Sequence, residues 1–227
     1  MSINLSKGEK TVVKKSSGQP VTNLTVGVSW AKINRLVNLP ASERGLIGRM
    51  FSKASNSAAK ATGQLEDVDL DLTIATFDAS GNAVGECAFY AKALFDGAIL
   101  HSGDDRGGDD EDDGLDNERI KFQGLKVATQ TSVQSAFIIL NSYSHQKFDE
   151  IPHIRLAIYD GLFGLTDKAP RLLEFDLKND KSFNGAEAVI LARLDKTAGG
   201  WELTAIGQPT SDQSVRAIVS RIKSEHL

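Results

Sequence analysis

A chain of 227 residues that is 41% hydrophobic can bury a sizeable core and is too apolar to remain a disordered polymer. Its single cysteine, Cys87, excludes an internal disulfide and a thiolate zinc cage and fits a reducing, cytoplasmic setting. No run approaches 18 apolar residues and the opening MSINLSKGEK lacks an apolar segment, so neither a transmembrane segment nor a signal peptide is expected. The net charge of −4 is local. Nine carboxylates and one cation, Arg106, lie between Asp104 and Glu118, and the remaining 21 acidic and 25 basic residues sum to +4.

In chain order, Leu24, Val26, Val28 and Trp30 alternate, which predicts a half-buried strand. Residues 40–63 carry Leu46, Ile47, Met50 and Phe51 and then a run of small residues, expected as a partly helical insertion between strands. Residues 68–76 alternate again, with Val68, Leu70, Leu72 and Ile74 on one face and Asp67, Asp69 and Asp71 on the other. Ser80-Gly81-Asn82 marks a turn and residues 84–90 return as a hairpin. Further strands are expected at 136–141, 154–159, 172–177, 188–194 and 201–206. Near the end Ser211 can cap a helix whose Val215, Ile218, Val219 and Ile222 form one apolar stripe. Many short strands separated by turn signals predict a mainly β protein, a two-sheet β-sandwich with a C-terminal helix. The expected organisation is one domain over 1–208, with an insertion at about 32–67, and a helix over 209–227 packed on it.

The chemistry concentrates in residues 101–120, HSGDDRGGDDEDDGLDNERI. Calcium takes six to eight oxygen ligands in flexible geometry, and glycines let carboxylates and carbonyls converge on it. Three strand aspartates by themselves read equally well as a solvated polar face. With the loop, the carboxylates suffice for one or two ions. Asp109, Glu111, Asp113 and Gly114 mimic half an EF-hand loop, but Ile120 stands where its last ligand belongs, so that motif is rejected. The four histidines are scattered without zinc spacing, and His101 is expected to pack rather than ligate. Magnesium, which keeps several waters, suits this crowded loop less well. Nucleotide-binding and hydrolase motifs are missing from the sequence, and dispersed basic residues such as Lys14, Lys15, Arg35 and Arg44 give no direct nucleic-acid signal.

These residues resemble the TerD-type tellurium-resistance family. VDLD at 68–71 resembles its strand motif, and HSGDD at 101–105 with DNERI at 116–120 resembles the two ends of its loop HxGDNxTGxGxGDDExI. INLSKGEK at 3–10, VGVSW at 26–30, FDEIPHIRLAIYD at 148–160, LLEFDL at 172–177 and GGWELTAIGQ at 199–208 resemble other family segments. The resemblance implies a sandwich holding calcium through Asp69, Asp71, Asp104, Asp105, Asp116, Asn117 and Glu118. It also implies a bacterial stress or tellurium-resistance role without enzymatic activity, in which the ion organises the loop for partner binding. The partners it implies are proteins of the same resistance system, a membrane-bound one among the candidates. This chain departs from the pattern in a loop three residues longer, in Arg106-Gly107 for Leu-Thr, in Asn117 for Asp and in Ala31 for the Asp after the tryptophan. The competing expectations are a metal-dependent hydrolase using the carboxylate cluster, with His101 as its one obvious base, and a structural subunit stabilised by calcium.

Overall fold

Apolar residues at every second position give a pleated strand one face to bury, and this pattern recurs through most of the chain. The computed structural model describes residues 11–13, 20–34 and 65–227. Among them, β1 (Thr11–Val13), β14 (Gly200–Thr210), β13 (Ala188–Thr197), β10 (Ser135–Ser142), β5 (Leu70–Phe77) and β6 (Ala83–Cys87) form one sheet in that order. The second sheet runs β12 (Arg171–Asp176), β11 (Ile154–Asp160), β2 (Leu24–Trp30), β9 (Glu118–Phe122), β8 (Ile99–His101) and β7 (Ala93–Leu94). All pairings are antiparallel, so the expected mainly β architecture with a C-terminal helix is the observed one.

The principal core includes Val26, Val28 and Trp30 of β2, Leu70, Leu72 and Ile74 of β5, and Leu156 and Ile158 of β11. A second cluster covers the outer face of the first sheet. There Ala75, Phe77, Phe137, Ile139 and Ile190 meet Ile218 and Ile222 of the last helix, Val215–Glu225. Burial of those two isoleucines contributes about 1.5–3 kcal/mol each. The helix begins three residues later than expected. Ser214, not Ser211, is its cap, and its hydroxyl accepts from the Ala217 amide at 3.2 Å.

Two short strands, β3 (Ile33–Asn34) and β4 (Leu65–Glu66), pair with each other on either side of residues 35–64. The expected helix at 40–63 lies outside the described residues. The acidic loop is shorter than its sequence outline: His101 closes β8, and Glu118 and Ile120 already belong to β9, paired with β2 through Val28↔Glu118 and Val26↔Ile120. β6 ends at Cys87 instead of running to residue 90, where Ala88 and Ala91 exchange backbone hydrogen bonds in a turn. It covers β5 only from Ile74 to Phe77. Among the described residues, the edge of β5 over residues 70–73 therefore has no strand on that side.

Candidate metal centre

The acidic loop is anchored to β2 before any cation is considered. The Asp109 amide donates to the Trp30 carbonyl at 3.0 Å, Lys32 N–H donates to the Asp109 carbonyl at 2.9 Å, and Val68 N–H donates to the Gly107 carbonyl at 3.0 Å. Trp30 is fully buried and gives its indole N–H to the Val68 carbonyl at 2.7 Å. Gly108 passes directly over that ring with φ +76°, and a Cβ there would lie 2.5 Å from Trp30 Cδ1, so only glycine fits. The loop thus enters the site from a fixed direction.

Three of the carboxylates expected to ligate come together. Asp69, just before β5, Asp71 within it, and Asp104 at the start of the loop each offer an oxygen, and these oxygens lie within 4.8 Å of one another. Asp71 is 4% exposed. Burial, then the neighbouring Asp104 and Glu118 charges, push the Asp69 carboxyl up to about 6. Burial, then the charges of Asp69 and Glu118, push Asp71 up to about 7, although Asn141 favours its ionised form. Asp69 Oδ1 is buried and has no hydrogen-bond partner. Asn141, directly opposite Asp71 on β10, donates its amide to Asp71 Oδ2 at 3.3 Å and has its own carbonyl oxygen buried without a partner. Converging, mutually repelling oxygens with unsatisfied lone pairs fit a hard divalent cation, for which carboxylates and amide carbonyls are the ordinary ligands.

The other expected ligands are engaged elsewhere. Asp105 accepts from the Gly107 and Gly108 amides, each at 3.0 Å, and from the Asn117 side-chain amide at 3.1 Å. Asn117 in turn accepts from the Trp30 amide at 2.8 Å. Asp116 faces away from the cluster and accepts from Arg119 Nε at 2.6 Å and from the Tyr159 hydroxyl at 2.8 Å. Its place depends on Gly27, where a Cβ would lie 2.1 Å from Asp116 Oδ2. Asp67, although in alternation with Asp69, is exposed and pairs with Lys32 at 3.1 Å.

Glu118 is fully buried beneath the cluster, and its carboxylate accepts from the Leu72 amide at 3.1 Å and the Asp105 amide at 3.2 Å. His101 Nδ1 accepts from the Gly103 amide at 3.0 Å, which leaves its proton on Nε2, 3.4 Å from Glu118. Glu118 therefore ties β9, β5 and the loop together. Arg106, itself exposed, holds Asp104 at 2.9 Å. Asp69, Phe89, Asp104, Arg106 and Tyr143 line a hollow of about 140 Å³. Asn141, Phe89 and Tyr143 carry no motif-level signal, because only cross-strand register and the turn after β6 bring them here.

A family model described as the TerD domain matches residues 1–221. Over 222 residues the chain is 23% identical to the tellurium resistance protein TerZ of Serratia marcescens, covering 98% of this chain and 97% of that protein. TerX of the same organism is 23% identical over 230 residues, covering 94% and 96%. Among solved structures, a homologue of the telluride resistance protein TerD from Streptomyces coelicolor A3(2) superposes with a TM-score of 0.62 at 16% identity, covering 89% of this chain and 98% of that one. A β-sandwich of this topology, matched by the family model over nearly its whole length, identifies the chain as a member of the TerD family.

Proposed function

We propose that this protein is a non-enzymatic calcium-binding component of a bacterial tellurium-resistance or stress response, acting in the cytoplasm. The observation that carries the reading is the convergence of Asp69, Asp71 and Asp104 around a buried, unpartnered oxygen. These three residues would hold the ion, with the Asn141 carbonyl within the same strand pair as a further oxygen. A bound divalent cation supplies the positive charge that lets all three carboxylates ionise together. The chain's own residues do the rest: Glu118 fixes the loop against β5, and Trp30 fixes its far side.

The site opens beside exposed aromatic surface. Tyr90 is 54% and Tyr143 63% exposed, and Phe89 stands edge-on to both rings. This supports a role in which the ion orders a face for another protein of the same resistance system, since aromatic residues are enriched at such interfaces. A metal-dependent hydrolase finds no support: the side chain of His101, its one candidate base, is wholly buried and both ring nitrogens face protein groups. Among the described residues, no helix is long and apolar enough to cross a membrane.

Calcium should raise the melting temperature of metal-stripped protein, because the unfolded chain cannot gather these ligands. At free calcium ~100 times the dissociation constant the gain is about 2.7 kcal/mol. Magnesium should bind more weakly in parallel calorimetric titrations. A melting temperature that is the same in chelator and in millimolar calcium would exclude this function.

A further inference from the structure

On the outer face of the second sheet, away from the carboxylate cluster, Arg119, Tyr159, Asp167, Lys168, Arg171 and Glu174 line a hollow of about 640 Å³. Arg119 is 3% exposed, an unusual position for a guanidinium. Its plane is fixed from three directions. Nε donates to Asp116 at 2.6 Å, Nη2 donates to the Asp167 carbonyl at 3.0 Å, and the group stacks 5.0 Å above the Tyr159 ring. Nη1 is buried and has no acceptor. A charged donor left without an acceptor in a buried site is costly, so a polar partner is called for there.

The carboxylates nearby do not meet that need. Asp116 is occupied by Arg119 Nε and Tyr159, Glu174 pairs with Arg171, and Asp167 accepts from the Gly164 amide at 2.7 Å. Lys168 is exposed and forms no ion pair among the described residues, so it stands at the rim of the hollow as a cation without a carboxylate in contact. A ligand that satisfies Nη1 must present an acceptor, and one that also answers Lys168 must be anionic. We propose that this hollow binds the oxyanion group, phosphate or carboxylate, of a small ligand, with Arg119 Nη1 as the buried donor and Lys168 as the exterior cation. The residues involved share no side chain with the calcium reading, so either can fail without the other.

The test is a titration of metal-stripped, isotope-labelled protein with inorganic phosphate, and separately with acetate, at constant ionic strength set by chloride. The amides of residues 167–171 and the Arg119 side chain are followed by NMR. Saturable shifts confined to these groups are expected, and Lys168→Glu, an exposed change, should weaken binding at least tenfold while leaving the rest of the spectrum intact. Arg119→Lys should weaken it as well, and where that variant fails to fold Lys168→Glu alone decides. Saturation by phosphate but not acetate assigns a phosphorylated ligand, and saturation by acetate assigns a carboxylate. The proposal is overturned by shifts that do not saturate with either anion, by shifts centred elsewhere, or by Lys168→Glu binding like the wild type.

Discussion

The two ends of the acidic loop carry the same residue type and solve its electrostatics in opposite ways. At the near end Asp104 converges with Asp69 and Asp71, and the latter two are pushed toward protonation by burial and by neighbouring carboxylates. At the far end Asp116 is just as sheltered, yet Arg119 and Tyr159 supply its charge partner and its hydrogen bonds within the protein. Carboxylate density therefore does not define a cation site. What defines it is the set of oxygens that the fold leaves unpaired.

The far end depends most on Arg119. Arg119→Ala leaves Asp116 buried without its cation and should destabilise the protein by about 3–5 kcal/mol, read by chemical denaturation. A loss within experimental error would mean that Asp116 is free to serve as a ligand. The converse holds at the near end. Asp69→Asn and Asp71→Asn should leave metal-stripped protein at least as stable as wild type, yet lower calcium affinity at least tenfold, about 1.4 kcal/mol. Asp109→Asn, whose carboxylate accepts from Asn117, should cost much less affinity by calorimetry. The reverse ranking would move the site into the loop.

The pH dependence sharpens the same contrast. Asp69 and Asp71 have folded values above the ordinary 3.8, so the folded protein retains protons that the unfolded chain has already released. Stability of the metal-free protein from these groups is therefore lost as pH rises from 3.8 toward about 7 and is level above it. Calcium binding runs the other way and should weaken by about tenfold between pH 8 and 6, as one proton competes for Asp71. Affinity that is flat across this range would place the ligands among ordinary, solvated carboxylates. The smallest effect is expected at Arg106, which occupies Asp104 from outside. Arg106→Gln should tighten calcium about twofold, the scale of an exposed ion pair; weaker binding would make Arg106 a support for the site instead of a competitor.

Much of the sandwich was legible because buried faces write a period of two into β2 and β5 and an apolar stripe into the last helix. β9 was not, since Glu118, Arg119 and Lys121 look like the end of a charged loop. They can lie in a strand because Glu118 accepts from backbone amides and Arg119 Nε has Asp116 as its acceptor. At the candidate site, Asp69, Asp71 and Asp104 stand out in the sequence, whereas Asn141 does not, because its role comes from lying opposite Asp71 across two strands. The pairing of Asp116 with Tyr159 is invisible for the same reason, since they stand 43 positions apart. Alternation also put Asp67 beside Asp69, but the chain reaches β5 only at Leu70, and Lys32 draws Asp67 aside.

The early end of β6 has a consequence for solubility. An uncovered stretch of strand is a template on which a second chain can add by backbone pairing; no strand pairs with β5 on that side between residues 70 and 73, yet Leu70, Asp71, Leu72 and Thr73 are all buried. The place of a further strand is filled by Glu118, itself fully buried, which takes the Leu72 amide, with Asp69 and Asp71 beside it. Carboxylates thus take the place of a pairing strand, and an incoming chain would have to displace them to reach the β5 backbone. The residues proposed to hold a cation are, at this edge, the same residues that stand in a strand's place.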